Sequence, residues 1–271
     1  MKETSPFCIY IKIYAKGDVF LRKKLGIILM MAMLVCIVIG SQILGERLYS
    51  QVDKKTEDAQ ETSGEVKKKE NEENNKAEEQ KKADGALIVL DSGHGGFDPG
   101  KIGINGALEK EVNLKIAKKV ELCLKKQGYT VIMTRENDNS LADSKVEDLK
   151  ARVSLINDKK PLVAVSIHQN SYSQESIHGA QVFYYTHSKN GEKAAKILQE
   201  AMLDVDSDNS RQAKKNDTYY LLKKTKIPTV IVECGFLSNQ NEADLLITDE
   251  YQEKMAEAVA KGIHKYILSE G

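Results

Sequence analysis

An almost unbroken apolar run from Leu25 to Leu44 divides this 271-residue chain into parts that cannot share one core. The run has about the ~20 residues that a membrane-spanning helix needs. Arg22, Lys23 and Lys24 precede it. That charge bias predicts that residues 1–24 stay cytoplasmic and that everything after the run lies on the far side of the membrane. A cleaved signal peptide is the alternative, with Val38-Ile39-Gly40 before Ser41 as its small-residue site. The length of the run favours an uncleaved anchor over residues 25–44. Residues 45–85 follow as a spacer. From Gln51 to Asp84 the sequence is almost all Lys, Glu, Asp, Gln, Asn, Thr, Ser and Ala, too poor in apolar side chains to offset the entropy of ordering it. Residues 86–271 remain, enough for one domain with its own core.

Within that domain, short apolar runs alternate with amphipathic stretches. Residues 86–90, 129–134, 162–167 and 229–232 read as strands, and 180–185 as a strand near an edge. Helices are expected over 111–127, 149–156, 191–203 and 250–268. The first of these has Val112, Ile116, Val120 and Leu124 on one side and Gly128 as its stop. The pattern predicts an α/β fold: one mostly parallel central sheet flanked by helices on both faces, preceded by one N-terminal transmembrane helix. Functional residues in such sheets gather at the carboxyl ends of the strands.

Four short segments near those ends carry the chemistry. They are Asp91-Ser92-Gly93-His94-Gly95-Gly96, Leu108-Glu109-Lys110-Glu111, Ser166-Ile167-His168-Gln169-Asn170 and Val232-Glu233-Cys234-Gly235-Phe236. Each key residue alone has a plain structural alternative. His94 sits in a glycine turn, Glu109 can cap a helix, and His168 can be a core histidine. Glu233 is harder to dismiss, because a carboxylate ending the run Thr229-Val230-Ile231-Val232 needs a partner or a task. Taken together, two His and one Glu leave a fourth metal position open for water, the arrangement of a catalytic zinc site. Glu233 then suits the proton-transferring role. Asp91 is placed to orient His94 or simply to end its strand, and Asn170 to bind substrate or hold its loop. Cys234 is a weaker nucleophile candidate, and neither it nor Cys123 is expected in a disulfide. The Walker and dinucleotide glycine patterns are absent. Lys plus Arg and Asp plus Glu number 40 each, which gives no electrostatic case for a nucleic-acid partner.

These segments resemble those of the zinc-dependent N-acetylmuramoyl-L-alanine amidases of the Amidase_3 type. The matching residues are Asp91 to Gly96, Glu109-Lys110 with Asn113-Leu114, Ser166 to Asn170, and Glu233 to Asn239, with Thr134, Arg135 and Arg152 at further family positions. The resemblance runs from Leu87 to about Ile267. It implies Zn2+ held by His94, Glu109 and His168, Glu233 as catalytic acid and base, and peptidoglycan as substrate. The scissile bond would be the amide between the lactyl group of N-acetylmuramic acid and L-alanine of the stem peptide. The layout, one anchor and one catalytic domain, is similar to that of spore-germination members of the family. That implies an extracytoplasmic role in forming cortex muramic-δ-lactam. The cleft is expected to be accessible unless a partner controls it, which leaves an accessory activator protein as a candidate partner. A general lytic amidase of cell separation and a non-catalytic wall-binding domain are the alternatives. Ser92 and Gln169 depart from commoner family residues.

Overall fold

The computed structural model describes residues 85–270. The expected anchor at 25–44 and spacer at 45–85 lie outside those residues, except for Gly85. Among the described residues no helix is long and apolar enough to cross a membrane.

Six strands form one sheet: β1 (Leu87–Ser92), β2 (Thr130–Met133), β3 (Val163–Asn170), β4 (Gln181–Tyr185), β5 (Lys214–Asn216) and β6 (Thr229–Phe236). Their order across the sheet is β2-β1-β3-β6-β4-β5. β2, β1, β3 and β6 are parallel, whereas β4 pairs antiparallel with β6 and β5 runs parallel to β4. The sheet is therefore mostly parallel, as the alternation of strands and helices predicts. β4 is covered on its outer side by the short edge strand β5, so it lies near an edge as its sequence suggests.

The helices are α1 (Glu109–Lys126), α2 (Lys145–Lys159), α3 (Lys189–Ala201), α4 (Tyr220–Lys224), α5 (Gln240–Leu246) and α6 (Asp249–Leu268). Side-chain caps start four of them. Ser144, Ser188, Asn239 and Thr248 accept from the backbone N–H of Glu147, Gly191, Glu242 and Tyr251. α1 has no such cap, and its first residue, Glu109, is turned inward and buried.

Alternation along the strands sends successive side chains to opposite faces. One face packs Ile88, Leu90, Val163, Val165, Ile167, Val230, Val232 and Cys234 into the larger core, with Ile116 and Val120 of α1, Leu198 of α3 and Val259 and Ile263 of α6. Each fully buried Val, Leu or Ile there contributes roughly 1.5–3 kcal/mol. The other face holds a smaller core in which Val89, Ala164 and Ile231 meet Val153 and Ile156 of α2 and Leu221 and Leu222 of α4. α4 is only five residues long, so α2 and α4 cover this face incompletely. Asp91, Ser166, His168 and Glu233 share the parity of that second face, which places them under the gap.

Candidate metal centre and cleft

The gap is a cleft of about 500 Å³ lined by His94, Glu109, His168, Asn170, Tyr219 and Glu233, among others. His94 lies two residues beyond β1. His168 and Glu233 lie inside β3 and β6 rather than beyond their ends, and they face each other in register across the parallel pair. The register shifts between His168 and Asn170. Metal-capable donor atoms of His94, Glu109 and His168 all fall within 4.8 Å of one another. Glu109 Oε1 is the common point, 3.2 Å from His94 Nε2 and 2.9 Å from His168 Nδ1. The two imidazoles stand edge to face, with centroids 4.9 Å apart.

Backbone shape makes this convergence possible. His94 and Gly95 have φ of 61° and 135°. The first is a left-handed conformation uncommon for a residue with a side chain, and the second needs glycine. Gly93 contributes by having no Cβ, since one placed there would overlap the His168 imidazole. Gly93→Ala is therefore expected to push His168 off its position. It should weaken binding of a divalent metal by about tenfold or more while leaving the melting temperature within a few degrees. Competition titration against a zinc chelator checks this, and unchanged affinity would show that the ring is not held by that contact.

The donor groups are held from behind by hydrogen bonds. Glu109 Oε2 accepts from the Lys101 backbone N–H at 2.7 Å, and Oε1 also accepts from the Gln169 backbone N–H at 3.2 Å. Asn113 donates to the Gly93 carbonyl at 3.1 Å and accepts from the Gln169 side chain at 3.1 Å. Burial pushes the Glu109 carboxyl up, but hydrogen bonds from His168 and His94 outweigh it and hold the group well below the usual carboxylate range. Burial acts to lower His168, yet the Glu109 hydrogen bond and charge raise it to about 9. A metal taking that site has to displace the His168 proton, so its affinity rises with pH.

Glu233 has the opposite character. It is buried, and its Oε2 has no hydrogen-bond partner. Burial raises its pKa to about 7, with the Glu109 charge adding to the rise and the His168 and His94 charges opposing it. A carboxyl poised near neutrality and aimed into a cleft is suited to take up and release a proton. Cys234, its neighbour, belongs to the core on the opposite face of the sheet, and burial pushes its thiol far above its usual range. It cannot act as a nucleophile in this cleft.

The structure differs from expectation over Asp91. That carboxylate does not reach the His94 ring. It accepts from Thr134 Oγ1 at 2.7 Å, Ser166 Oγ at 2.5 Å and Arg152 Nη1 at 2.7 Å. Arg152 then donates to the carbonyls of Ser92 (2.7 Å) and His94 (2.6 Å), and Arg135 donates to those of Ser92 (2.9 Å) and Gly93 (3.0 Å). Asp91 thus supports the backbone of the His94 loop through Arg152. The carboxylate beside the His94 ring is Asp98, at 2.9 Å from Nδ1. None of the four chemistry-bearing segments contains Asp98, although the turn-forming string Asp98-Pro99-Gly100 that begins four residues after His94 is a usable signal. Asn170 lines the cleft, and its Oδ1 accepts from the Ser171 backbone N–H at 2.8 Å.

A mostly parallel sheet with two histidines and a glutamate converging beside an unpaired carboxyl defines a candidate metal-dependent hydrolase. The chain belongs to the Amidase_3 family, N-acetylmuramoyl-L-alanine amidase, whose pattern matches residues 88–265. Its activity is that of an N-acetylmuramoyl-L-alanine amidase. The germination-specific N-acetylmuramoyl-L-alanine amidase of Bacillus subtilis is 40% identical over 195 residues, covering 69% of this chain and 82% of the relative. The amidase LytC of the same organism is 33% identical over 184 residues, 67% of this chain but 36% of LytC. The CwlD amidase of Clostridioides difficile, solved in complex with the GerS lipoprotein, superimposes with a TM-score of 0.66 at 40% identity. The match covers 69% of this chain and all of that one.

Proposed function

We propose that this chain is a zinc-dependent amidase that strips stem peptides from N-acetylmuramic acid in the spore cortex, the step that leads toward muramic-δ-lactam. The observation that carries the chemistry is the unpaired, buried Glu233 in register with His168 and beside the Glu109 cluster. His94, Glu109 and His168 would hold the ion. Two nitrogens and one carboxylate oxygen are the donor types zinc takes, and three protein ligands leave a position open. When bound, zinc acidifies a coordinated water and polarises a carbonyl oxygen.

The remaining work falls to the chain's own residues. A water oxygen adds to the lactyl carbonyl carbon and the bond from that carbon to the L-alanine nitrogen breaks. Glu233 takes the proton from the water and delivers it to the departing nitrogen, so the products are a lactyl carboxylate and a free α-amine. Asn170, on the cleft wall, is assigned to substrate binding.

The cortex role is supported by the likeness to a germination-specific amidase and to CwlD. The GerS complex of that CwlD also supports an accessory protein as a partner of this chain. The basic residues before the apolar run at 25–44 support a membrane-anchored, extracytoplasmic placement.

Peptidoglycan incubated with the chain, with and without zinc, provides the test. Mass spectrometry should find free stem peptides that begin at L-alanine, lost on chelation and restored by zinc. Release that persists in chelator would remove the metal role, and release of disaccharides without free peptides would remove the amidase role.

A further inference from the structure

The loop that carries His94 closes on itself. Gly95 and Asp98 exchange two backbone hydrogen bonds, each 3.0 Å. This closure folds Asp98 back beside the ring of His94, with Oδ2 at 2.9 Å from Nδ1. The other oxygen, Oδ1, accepts from the Gly100 backbone N–H at 3.2 Å and pairs with Lys145 Nζ at 2.8 Å. Lys145 is the first residue of α2, so the carboxylate is gripped by two separate elements.

We infer that Asp98 is a positioning residue for the metal site, holding His94 in the tautomer whose Nδ1 carries the proton and whose Nε2 lone pair faces the metal. The inference rests on the metal-dependent reading above. A carboxylate accepts hydrogen bonds and cannot donate, and a neutral imidazole has only one N–H. Asp98 beside Nδ1, at 2.9 Å, and Glu109 Oε1 beside Nε2, at 3.2 Å, compete for that one N–H; a cation shared by Glu109 and Nε2 removes the second claim, and Asp98 then keeps the proton on Nδ1. Its negative charge also makes the imidazole a better donor to a cation. Lys145 and Gly100 occupy Oδ1, which keeps Asp98 from swinging round to become a ligand itself.

The two histidines are held differently. His168 has the same Glu109 oxygen on one side, but its far edge packs against the bare backbone of Gly93, not against a carboxylate. Loss of Asp98 should therefore act on one ligand and leave the other in place.

The test compares Asp98→Asn and Asp98→Glu with the wild type, all as full chains. Asparagine keeps the size but removes the charge, and its amide can donate to Nδ1 and favour the tautomer that cannot bind a metal through Nε2. Zinc affinity, measured by chelator competition, is expected to fall about 10- to 100-fold in the Asn variant and to recover most of that loss in the Glu variant. Nitrogen-15 spectra of the histidine-labelled, zinc-saturated protein should show a protected His94 Nδ1–H in the wild type and lose it in the Asn variant. Should the Asn variant fail to fold, the spectrum of the Glu variant still reports the Nδ1–H. A zinc affinity within about threefold of wild type in a folded Asn variant, or a His94 proton found on Nε2 in the wild type, overturns the assignment. A wild-type chain that takes up no zinc overturns the metal reading instead.

Discussion

Glu233→Gln is expected to bind zinc as the wild type does and to release stem peptides about a hundredfold to ten-thousandfold more slowly. Glutamine fills the same space in β6 but cannot accept and return a proton. Zinc uptake should survive because Glu233 is not one of the three converging donors. The same substitution should stabilise the metal-free fold at alkaline pH. Glu233 has a folded pKa raised to about 7, above the ordinary glutamate value of 4.5. Its contribution to stability is therefore fully present below about pH 4.5 and is lost as pH rises through about 7, where an unpaired carboxylate has to be buried. The Gln variant avoids that loss, because its side chain stays neutral throughout. Melting curves of chelated protein should coincide at pH 4 and diverge by pH 8, with the variant higher. Turnover in the Gln variant within about threefold of wild type would remove Glu233 from proton transfer, and equal melting at pH 8 would show that the buried carboxylate finds a partner.

Much of this site was legible in the sequence because its parts sit where local pattern is strongest. His168 and Glu233 end apolar runs that only buried parallel strands explain, and His94 follows another such run into a glycine cluster. Period-two alternation on β3 and β6 then puts His168 and Glu233 on one face. What stayed hidden depends on how the backbone closes, locally at one position and over long range at the others. Asp98 becomes a neighbour of His94 only through the exchange of backbone hydrogen bonds with Gly95, and Asp91 turns away from His94 only because Arg152 arrives from α2, 61 residues later. β5, with the sequence Lys214-Lys215-Asn216, has no apolar signal at all and is a strand because β4 offers it an unpaired edge. Gly93 illustrates the same limit. Its need to lack a side chain is set by a ring on a different strand; the glycine cluster around His94 marks a turn but does not announce that close approach.

Arg152→Met should produce the largest loss of stability, about 3–5 kcal/mol. The guanidinium is 2% exposed and donates to two carboxylates, Asp91 and Asp148, and to the carbonyls of Ser92 and His94. Methionine keeps an unbranched apolar stem, so the cost comes from the acceptors left behind. Asp91 suffers most. Burial alone would raise it, but the Arg152 charge and the Ser166 and Thr134 hydroxyls hold it at about 2. A lowered carboxylate adds stability above its ordinary value of 3.8, and that stability is lost as pH falls through about 2. Without Arg152 the folded pKa of Asp91 rises, so the variant should lose most stability at neutral pH and approach the wild type in acid. Pairing the substitution with Asp91→Asn removes the stranded charge and should recover part of the loss, an interaction that a double-mutant cycle measures directly. Denaturant unfolding at neutral pH provides the numbers. A loss below about 1 kcal/mol, or strict additivity with Asp91→Asn, would mean that the pair does not hold the His94 loop. If the loss is as large as expected, the metal site owes its shape to a charge pair beneath it, and zinc affinity should fall in the Met variant even though no ligand has been touched.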